Sequence, residues 1–305
     1  MIASQQTIAI LDAIESRFES VIQTIVCFDE IDSVSERAKK LISEAMLYSL
    51  NAGGKRIRPM LVLELASAYG HESDVAIDFA VAIEMIHTYS LIHDDLPCMD
   101  DDDLRRGKPT SHVVYGEDIA VLAGDSLLNM AAEVMLGAII KAGSAPNYLY
   151  AMREILNASG ANGMILGQIA DIKYHEDAVN VETLDFINFN KTGRLLTAAI
   201  ISGAYIGGAS EDEISILKTI GREIGLLFQI VDDVLDVIGD TEKLGKRTQI
   251  DTKNNKMTYP NLLGLDGTYK VIDDLRDSIE LKLNELSIDT SFLRRLVDFL
   301  VKREY

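Results

Sequence analysis

An all-α fold is what this 305-residue chain predicts. Apolar residues recur at helical spacing over long stretches, and no segment sustains the strict alternation of a half-buried strand. The chain contains five prolines, and no Pro-, Gly- or Ser-rich linker divides it. With 48% hydrophobic residues it can bury one large core, so the simplest organisation is a single all-α domain over residues 1–305.

Composition excludes several roles. A net charge of −19 is unsuited to nucleic acid, whose phosphates need a basic surface, and an anionic ligand would have to be met through metal ions. Cys27 and Cys98 are too few for a disulfide framework and suit a reducing cytoplasm. The N-terminal MIASQQTIAILDAIESRFES has no basic segment ahead of an apolar core, so no signal peptide is expected. The longest uncharged stretch, Leu195 to Ser210, has 16 residues including three glycines. That is short of the roughly 20 apolar residues that cross a bilayer, and no membrane span is expected.

Taken in order, residues 5–24 and 34–50 read as amphipathic helices, with Ile8, Ile10, Leu11, Ile14 and Phe18 on one face of the first. NAGGKRIRP, residues 51–59, follows. Gly53-Gly54 stops a helix, and Lys55, Arg56 and Arg58 come before Pro59 opens the run MLVLELASAYG. Basic side chains at a helix start oppose its dipole, so this is either an exposed basic turn or a phosphate clamp. Residues 74–93 carry only three charges and read as a mostly buried helix. His87 stands two turns before Asp94 and about 20° from it on the wheel, where it is either structural or a donor to an anion.

That helix runs into HDDLPCMDDDDLRRG, which places Asp94, Asp95, Asp100, Asp101, Asp102 and Asp103 within ten positions. So many carboxylates stay ionised together only where water or cations offset their repulsion. A solvated acidic loop would do this, and so would a divalent-metal site, since hard oxygen ligands suit Mg²⁺ and Ca²⁺. The helix dipole disfavours negative charge at a C-terminal end, which calls for a compensating cation. On an unbroken helix Asp94 and Asp100 would lie about 120° apart. Pro97 cannot continue the helix, and a bulge at Leu96–Cys98 is expected to bring the two together.

Residues 114–141 and 147–172 read as further long helices, the second ending in GQIADI with Gln168 and Asp171. Lys191-Thr192-Gly193 interrupts the apolar pattern from Leu184 to Ile206, and a lysine there needs an anionic partner. A second acidic cluster, FQIVDDVLD, is embedded in the apolar helix Ile224–Ile238. Asp232 and Asp236, at i and i+4, project from one face with Gln229 a turn earlier, which is metal-ligand spacing. A polar segment with Lys246, Asp251 and Lys256 reads as a loop able to cover a site, and 267–286 and 291–303 read as closing helices.

The order GGKRIRP, DDLPCMDDDDLRRGKPT, GQ, KTG, FQIVDDVLD and LGK…D…KMTYP resembles the trans-isoprenyl diphosphate synthase (polyprenyl synthetase) family, in particular its bacterial-type farnesyl diphosphate synthases. The resemblance implies an isoprenoid-synthase-type bundle of long antiparallel helices around a central cavity, in a homodimer. It implies a Mg²⁺-dependent head-to-tail condensation of isopentenyl diphosphate with dimethylallyl and geranyl diphosphate to farnesyl diphosphate. Mn²⁺ is an alternative metal, and three ions are implied with substrate bound. By position, Asp94 and Asp100 resemble the first-motif metal ligands and Asp232 the second, with Asp236 in support. Arg105, Lys191 and Lys246 resemble contacts to the allylic diphosphate. Lys55, Arg58, His87 and Arg106 resemble the isopentenyl diphosphate site, and Lys256 is a further diphosphate candidate, although Asn255 stands where the family often has glycine. Thr192 and Gln229 resemble residues whose oxygens face the carbocation, and with Lys191 and Arg105 they make the implied catalytic set. The pair Lys302-Arg303 is a candidate to close over the diphosphates.

Product length rests on the same resemblance. The family residue five positions before the first aspartate helps set the cavity floor, and here it is Tyr89, with Pro97-Cys98 as the two-residue insertion of the bacterial farnesyl type. The helical wheel alone favours Ser90 beneath the metal, with Tyr89 about 140° round. A geranylgeranyl or geranyl diphosphate synthase is the alternative within the family. A terpene cyclase fits less well, because its second metal motif mixes Asn, Ser and Glu, and a non-catalytic partner subunit usually lacks one aspartate motif. A calcium module fits least, because MDDDDLRRG lacks the EF-hand spacing.

Overall fold

Helical periodicity becomes helix along most of the chain. A computed structural model describes residues 5–24 (backbone alone before Leu11), 33–71, 73–174, 180–238 and 258–303. The helices are α1 (Gln5–Gln23), α2 (Val34–Leu50), α3 (Ile57–Ala68), α4 (Asp74–Asp94), α5 (Ser111–Tyr115), α6 (Glu117–Lys141), α7 (Pro146–Ser159), α8 (Met164–Tyr174), α9 (Val181–Asn188), α10 (Arg194–Gly207), α11 (Glu211–Ile238), α12 (Tyr259–Leu283) and α13 (Ser291–Val301). A π-helical turn, Phe189–Gly193, joins α9 to α10, and β1 (Leu104–Arg105) pairs with β2 (Lys108–Pro109). The all-α expectation is borne out. The chain divides into two compact units, residues 1–63 with 73–145 and residues 64–72 with 146–305.

The first unit is built around α4, which packs along α6 and against α1 and α2. Phe79, Ala80, Val81, Ala82, Ile83, Met85 and Ile86 are all fully buried, so the helix is apolar around its whole circumference. Each large side chain among them contributes about 1.5–3 kcal/mol, as an upper bound. The two acidic groups inside α4 are matched: Asp78 accepts from Arg17 Nε at 2.7 Å and Glu84 from Arg56 Nη1 at 2.6 Å. In the second unit α10 is buried almost throughout and packs against α7 and α11, while α12 lies along α11.

Three expectations change. The helix expected over 147–172 is split, because Gly160-Ala161-Asn162-Gly163 is a turn between α7 and α8. The helix expected from 114 is broken at Gly116, where φ is +89°. The hairpin at Leu104–Pro109 was not anticipated. Its turn residues Arg106 and Gly107 both have positive φ, 54° and 75°, as a tight primed turn requires. The membrane expectation also needs amending, since α4 and α6 are both long and apolar enough to cross a bilayer by length and composition. The apolar window of α4 is 78% buried, and that of α6 39%.

Candidate active site

The acidic loop begins where α4 ends. Met99 N–H donates to Leu96 O at 2.8 Å, and Asp100 N–H donates to Asp94 O at 2.8 Å, so the chain turns back and returns Asp100 to Asp94. The bulge expected at Leu96–Cys98 is therefore present. Asp95 points elsewhere: its buried carboxylate accepts from Arg105 Nε at 2.8 and 2.9 Å and from Nη2 at 2.5 Å. Burial pushes the Asp95 carboxyl up, and the Arg105 contacts oppose that push. This pair supplies the cation that the helix C-terminus called for, and it fixes β1 to α4.

The basic turn lies in the same unit. Gly53 and Gly54 have φ of +89° and +126°, which other residues rarely adopt. A Cβ on Gly54 would meet the Arg106 guanidinium at 2.6 Å, and Arg106 Nη1 donates to Gly53 O. Arg56 is buried and bound to Glu84 and to Leu50 O, so it is structural. Removing one partner of such a pair costs on the order of 3–5 kcal/mol. Burial first, then the positive charges of Arg58, Arg106, Arg105 and Arg56, hold the His87 imidazole well below its ordinary pKa, so it is neutral at pH 7. Arg58, His87 and Arg106 thus share one electropositive neighbourhood, as expected. Lys55 is exposed on the turn beside them.

Tyr89 is 6% exposed, and its ring meets His93 edge to face at 5.7 Å. Burial, then the charge of Asp94, push its phenol up to about 12. Ser90 donates to His87 O at 2.9 Å, within its own helix.

In the second unit Lys191 and Thr192 sit on the π-helical turn. The turn is clamped by close approaches. A Cβ on Gly167 would stand 2.1 Å from Lys191 N, and one on Gly225 would stand 2.5 Å from Gly193 Cα. Lys191 Nζ donates to Asp171 Oδ2 at 2.6 Å, which supplies the anionic partner its setting required. Neither amide atom of the neighbouring Gln168 has a hydrogen-bond partner among the described residues. Thr192 donates to Gln229 Oε1 at 3.2 Å, so the two expected carbocation-facing groups do meet.

The carboxylates of α11 divide their work. Asp233 is buried and accepts from Gln229 Nε2 at 3.1 Å and from Tyr259 N–H at 3.3 Å, so it ties α11 to α12. Gln229 thus links Thr192 to Asp233, one position from Asp232. Asp236 is buried, whereas Asp232 is partly exposed and lies 2.7 Å from Arg303 Nη1. Asp171, Asp95 and Asp233 were missed as partners, and only the i, i+4 spacing of Gln229 and Asp233 could have signalled one of them. Lys246 and Lys256 lie outside the described residues.

Among the described residues no three His, Cys, Asp or Glu side chains gather closely enough to hold a metal by themselves. The donor set still fits Mg²⁺, which takes one or two carboxylates and completes its shell with phosphate oxygens and water. Asp94 and Asp100 in one unit and Asp232 and Asp236 in the other supply hard oxygens of that kind.

Comparison with known proteins agrees with the sequence pattern. The polyprenyl synthetase family profile matches residues 39–287. The chain is 45% identical over 264 residues to a farnesyl diphosphate synthase of Bacillus subtilis, covering 87% of this chain and 89% of the relative. It is also 45% identical over 289 residues to a chloroplastic geranylgeranyl pyrophosphate synthase of Capsicum annuum, covering 94% and 77%. A Helicobacter pylori geranyltransferase, solved in complex with magnesium and isoprenyl diphosphate, superposes with a TM-score of 0.77 at 32% identity and covers 99% of this chain and 98% of that one. The fold is therefore that of the isoprenoid synthases, and the chain, a prenyltransferase, belongs to the polyprenyl synthetase family.

Proposed function

We propose that the chain condenses isopentenyl diphosphate head to tail with dimethylallyl and then geranyl diphosphate, releasing farnesyl diphosphate. The loop closure that returns Asp100 to Asp94 carries this reading, because it brings the backbones of two acidic residues together where an unbroken helix would hold them about 120° apart. That both units act on one substrate pair, as a single prenyltransferase domain, is supported by the family membership.

Asp94 and Asp100, with Asp232 and Asp236, would hold Mg²⁺ (or Mn²⁺), three ions in all once diphosphate is bound. Bound metal neutralises the charge that develops on the leaving pyrophosphate. Lys191 and Arg105 add fixed positive charge at the same leaving group, and Lys246 and Lys256 are further candidates for it. Lys55, Arg58 and Arg106 grip the diphosphate of isopentenyl diphosphate, with neutral His87 as a donor beside them. Thr192 and Gln229 present oxygens to the allylic cation, and the departing pyrophosphate takes the proton.

The exposed apolar residues Val121, Leu122, Leu136 and Ile140 of α6 support a homodimer contact, and sedimentation would show the dimer. A cytoplasmic enzyme fits the Bacillus relative. The decisive experiment supplies isopentenyl diphosphate with each short allylic starter, then separates the products by chromatography. Asp94→Ala and Asp232→Ala should each lower turnover by orders of magnitude while the fold persists. Near-normal turnover in either would sink the metal assignment, a twenty-carbon product would move the chain to the geranylgeranyl branch, and hydrocarbon from farnesyl diphosphate alone would make it a cyclase.

A further inference from the structure

Lys302 and Arg303 are adjacent in sequence, yet their side chains serve different surfaces. Lys302 lies 3.8 Å from Asp298 on an exposed face. Arg303 turns inward, with its side chain 13% exposed, and forms the 2.7 Å ion pair with Asp232 while its guanidinium stacks 5.4 Å from the Phe228 ring centre. The end of α13 fixes this direction. Phe292, Leu293, Leu296, Val297 and Leu300 bury its apolar face, α13 packs against α11, and Arg303 N–H donates to Leu300 O at 3.3 Å.

We propose that Arg303 is an intramolecular competitor for the divalent cation at the second acidic cluster, setting that cluster's metal affinity by occupying Asp232. The proposal rests on Asp232 being a metal ligand, as read above. Like charges a few ångströms apart in partly dry protein repel strongly, so the guanidinium and a dication cannot share Asp232 at no cost. Arginine suits the role, because a weakly hydrated planar cation can leave water, stack on an aromatic face and still bond a carboxylate. Without metal, Arg303 relieves the mutual repulsion of Asp232, Asp233 and Asp236. Metal binding then requires its departure.

The test titrates Mn²⁺ alone into diphosphate-free protein and follows the free ion by electron paramagnetic resonance. Arg303→Gln should tighten Mn²⁺ binding about tenfold, the scale of a half-buried ion pair with a stacking contact. Arg303→Lys, which keeps charge but loses the stacking, should fall between. Asp232→Asn should weaken binding, and Arg303→Gln should add nothing in that background. Unchanged or weaker Mn²⁺ binding in Arg303→Gln, with Asp232→Asn still impaired, overturns the proposal and spares the ligand assignment. Unimpaired binding in Asp232→Asn overturns both. Should Arg303→Gln fail to fold, Phe228→Leu removes the stacking surface and carries the same expectation of tighter binding.

Discussion

A methyl group added at Gly167 would stand 2.1 Å from the backbone nitrogen of Lys191 and 2.6 Å from Asn190 C and Lys191 Cα. Carbon contacts settle at roughly 3.5–4.0 Å, so Gly167→Ala forces α8 and the π-helical turn apart by more than an ångström. All three atoms are backbone, and no side-chain rotation can relieve the clash. Overpacking of this kind costs about 1–3 kcal/mol, which a domain of this size can survive. Catalysis should suffer more, because a catalytic group misplaced by about 1 Å can cost on the order of 10²-fold in rate. Lys191 and Thr192 ride on the displaced turn, and the Asp171–Lys191 bond spans the same two elements. Gly137→Ala is the control: an added Cβ there meets nothing within 4 Å, and in mid-helix it should gain roughly 0.5–1 kcal/mol. Urea unfolding gives the stability change. Steady-state rates with varied allylic diphosphate and saturating isopentenyl diphosphate give the catalytic one. Turnover within a few-fold of wild type in a folded Gly167→Ala protein would refute the claim that the turn positions Lys191 for chemistry.

Three further outcomes are expected. Lys55→Ala or Arg58→Ala should mainly raise the KM for isopentenyl diphosphate, and a rise in the allylic KM instead would reverse the two site assignments. His87 has a folded pKa depressed below its unfolded value, so its contribution to stability is present above about pH 6.5 and is lost as pH falls toward the folded value, by at most about 1.4 kcal/mol per pH unit. Unfolding measured between pH 6.5 and 5 should therefore slope less in His87→Gln, and an unchanged slope would rule out an imidazole held neutral in the folded state. Tyr89→Ala should extend the product to twenty carbons or more, because Tyr89 lies about 7.5 Å along the helix axis below Asp94; an unaltered product profile would place the floor at another residue.

Features set by local chemistry were legible in the sequence. The helix over 34–50 was bounded as found, because Ser33 caps it and the Asn-Ala-Gly-Gly stretch ends it. The loop closure at Leu96–Cys98 followed from Pro97 and from the roughly 120° that an unbroken helix would put between Asp94 and Asp100. The break at Gly160–Gly163 and the Arg106-Gly107 hairpin were also written in turn residues, but each sat beside a long apolar pattern that masked it. What could not be read was the identity of partners between elements. Lys191 plainly needed an anion, yet Asp171 lies 20 positions away on another helix. The packing of α8 on the π-helical turn is what brings the two together. Asp95 and Asp94 are neighbours of one type, and the course of β1 is what separates a structural carboxylate from a candidate ligand.

Burial then sorts the charge pairs by how readily they exchange. The Asp95 side chain is 5% exposed and grips Arg105 through Nε and Nη2. Breaking that pair would strand a buried carboxylate, so the grip persists. Asp171 and Asp232, 15% and 23% exposed, pair with Lys191 and Arg303 where water still reaches them. Those pairs can open at modest cost. In a chain of net charge −19, Arg105, Lys191 and Arg303 are already paired with carboxylates. On the proposed assignment, diphosphate would take Lys191 only if Asp171 tolerates the loss, and Arg303 would become available only when another cation had replaced it at Asp232. Metal and diphosphate binding would then be coupled through the protein's own ion pairs as well as through direct coordination, and such coupling acts equally in both directions.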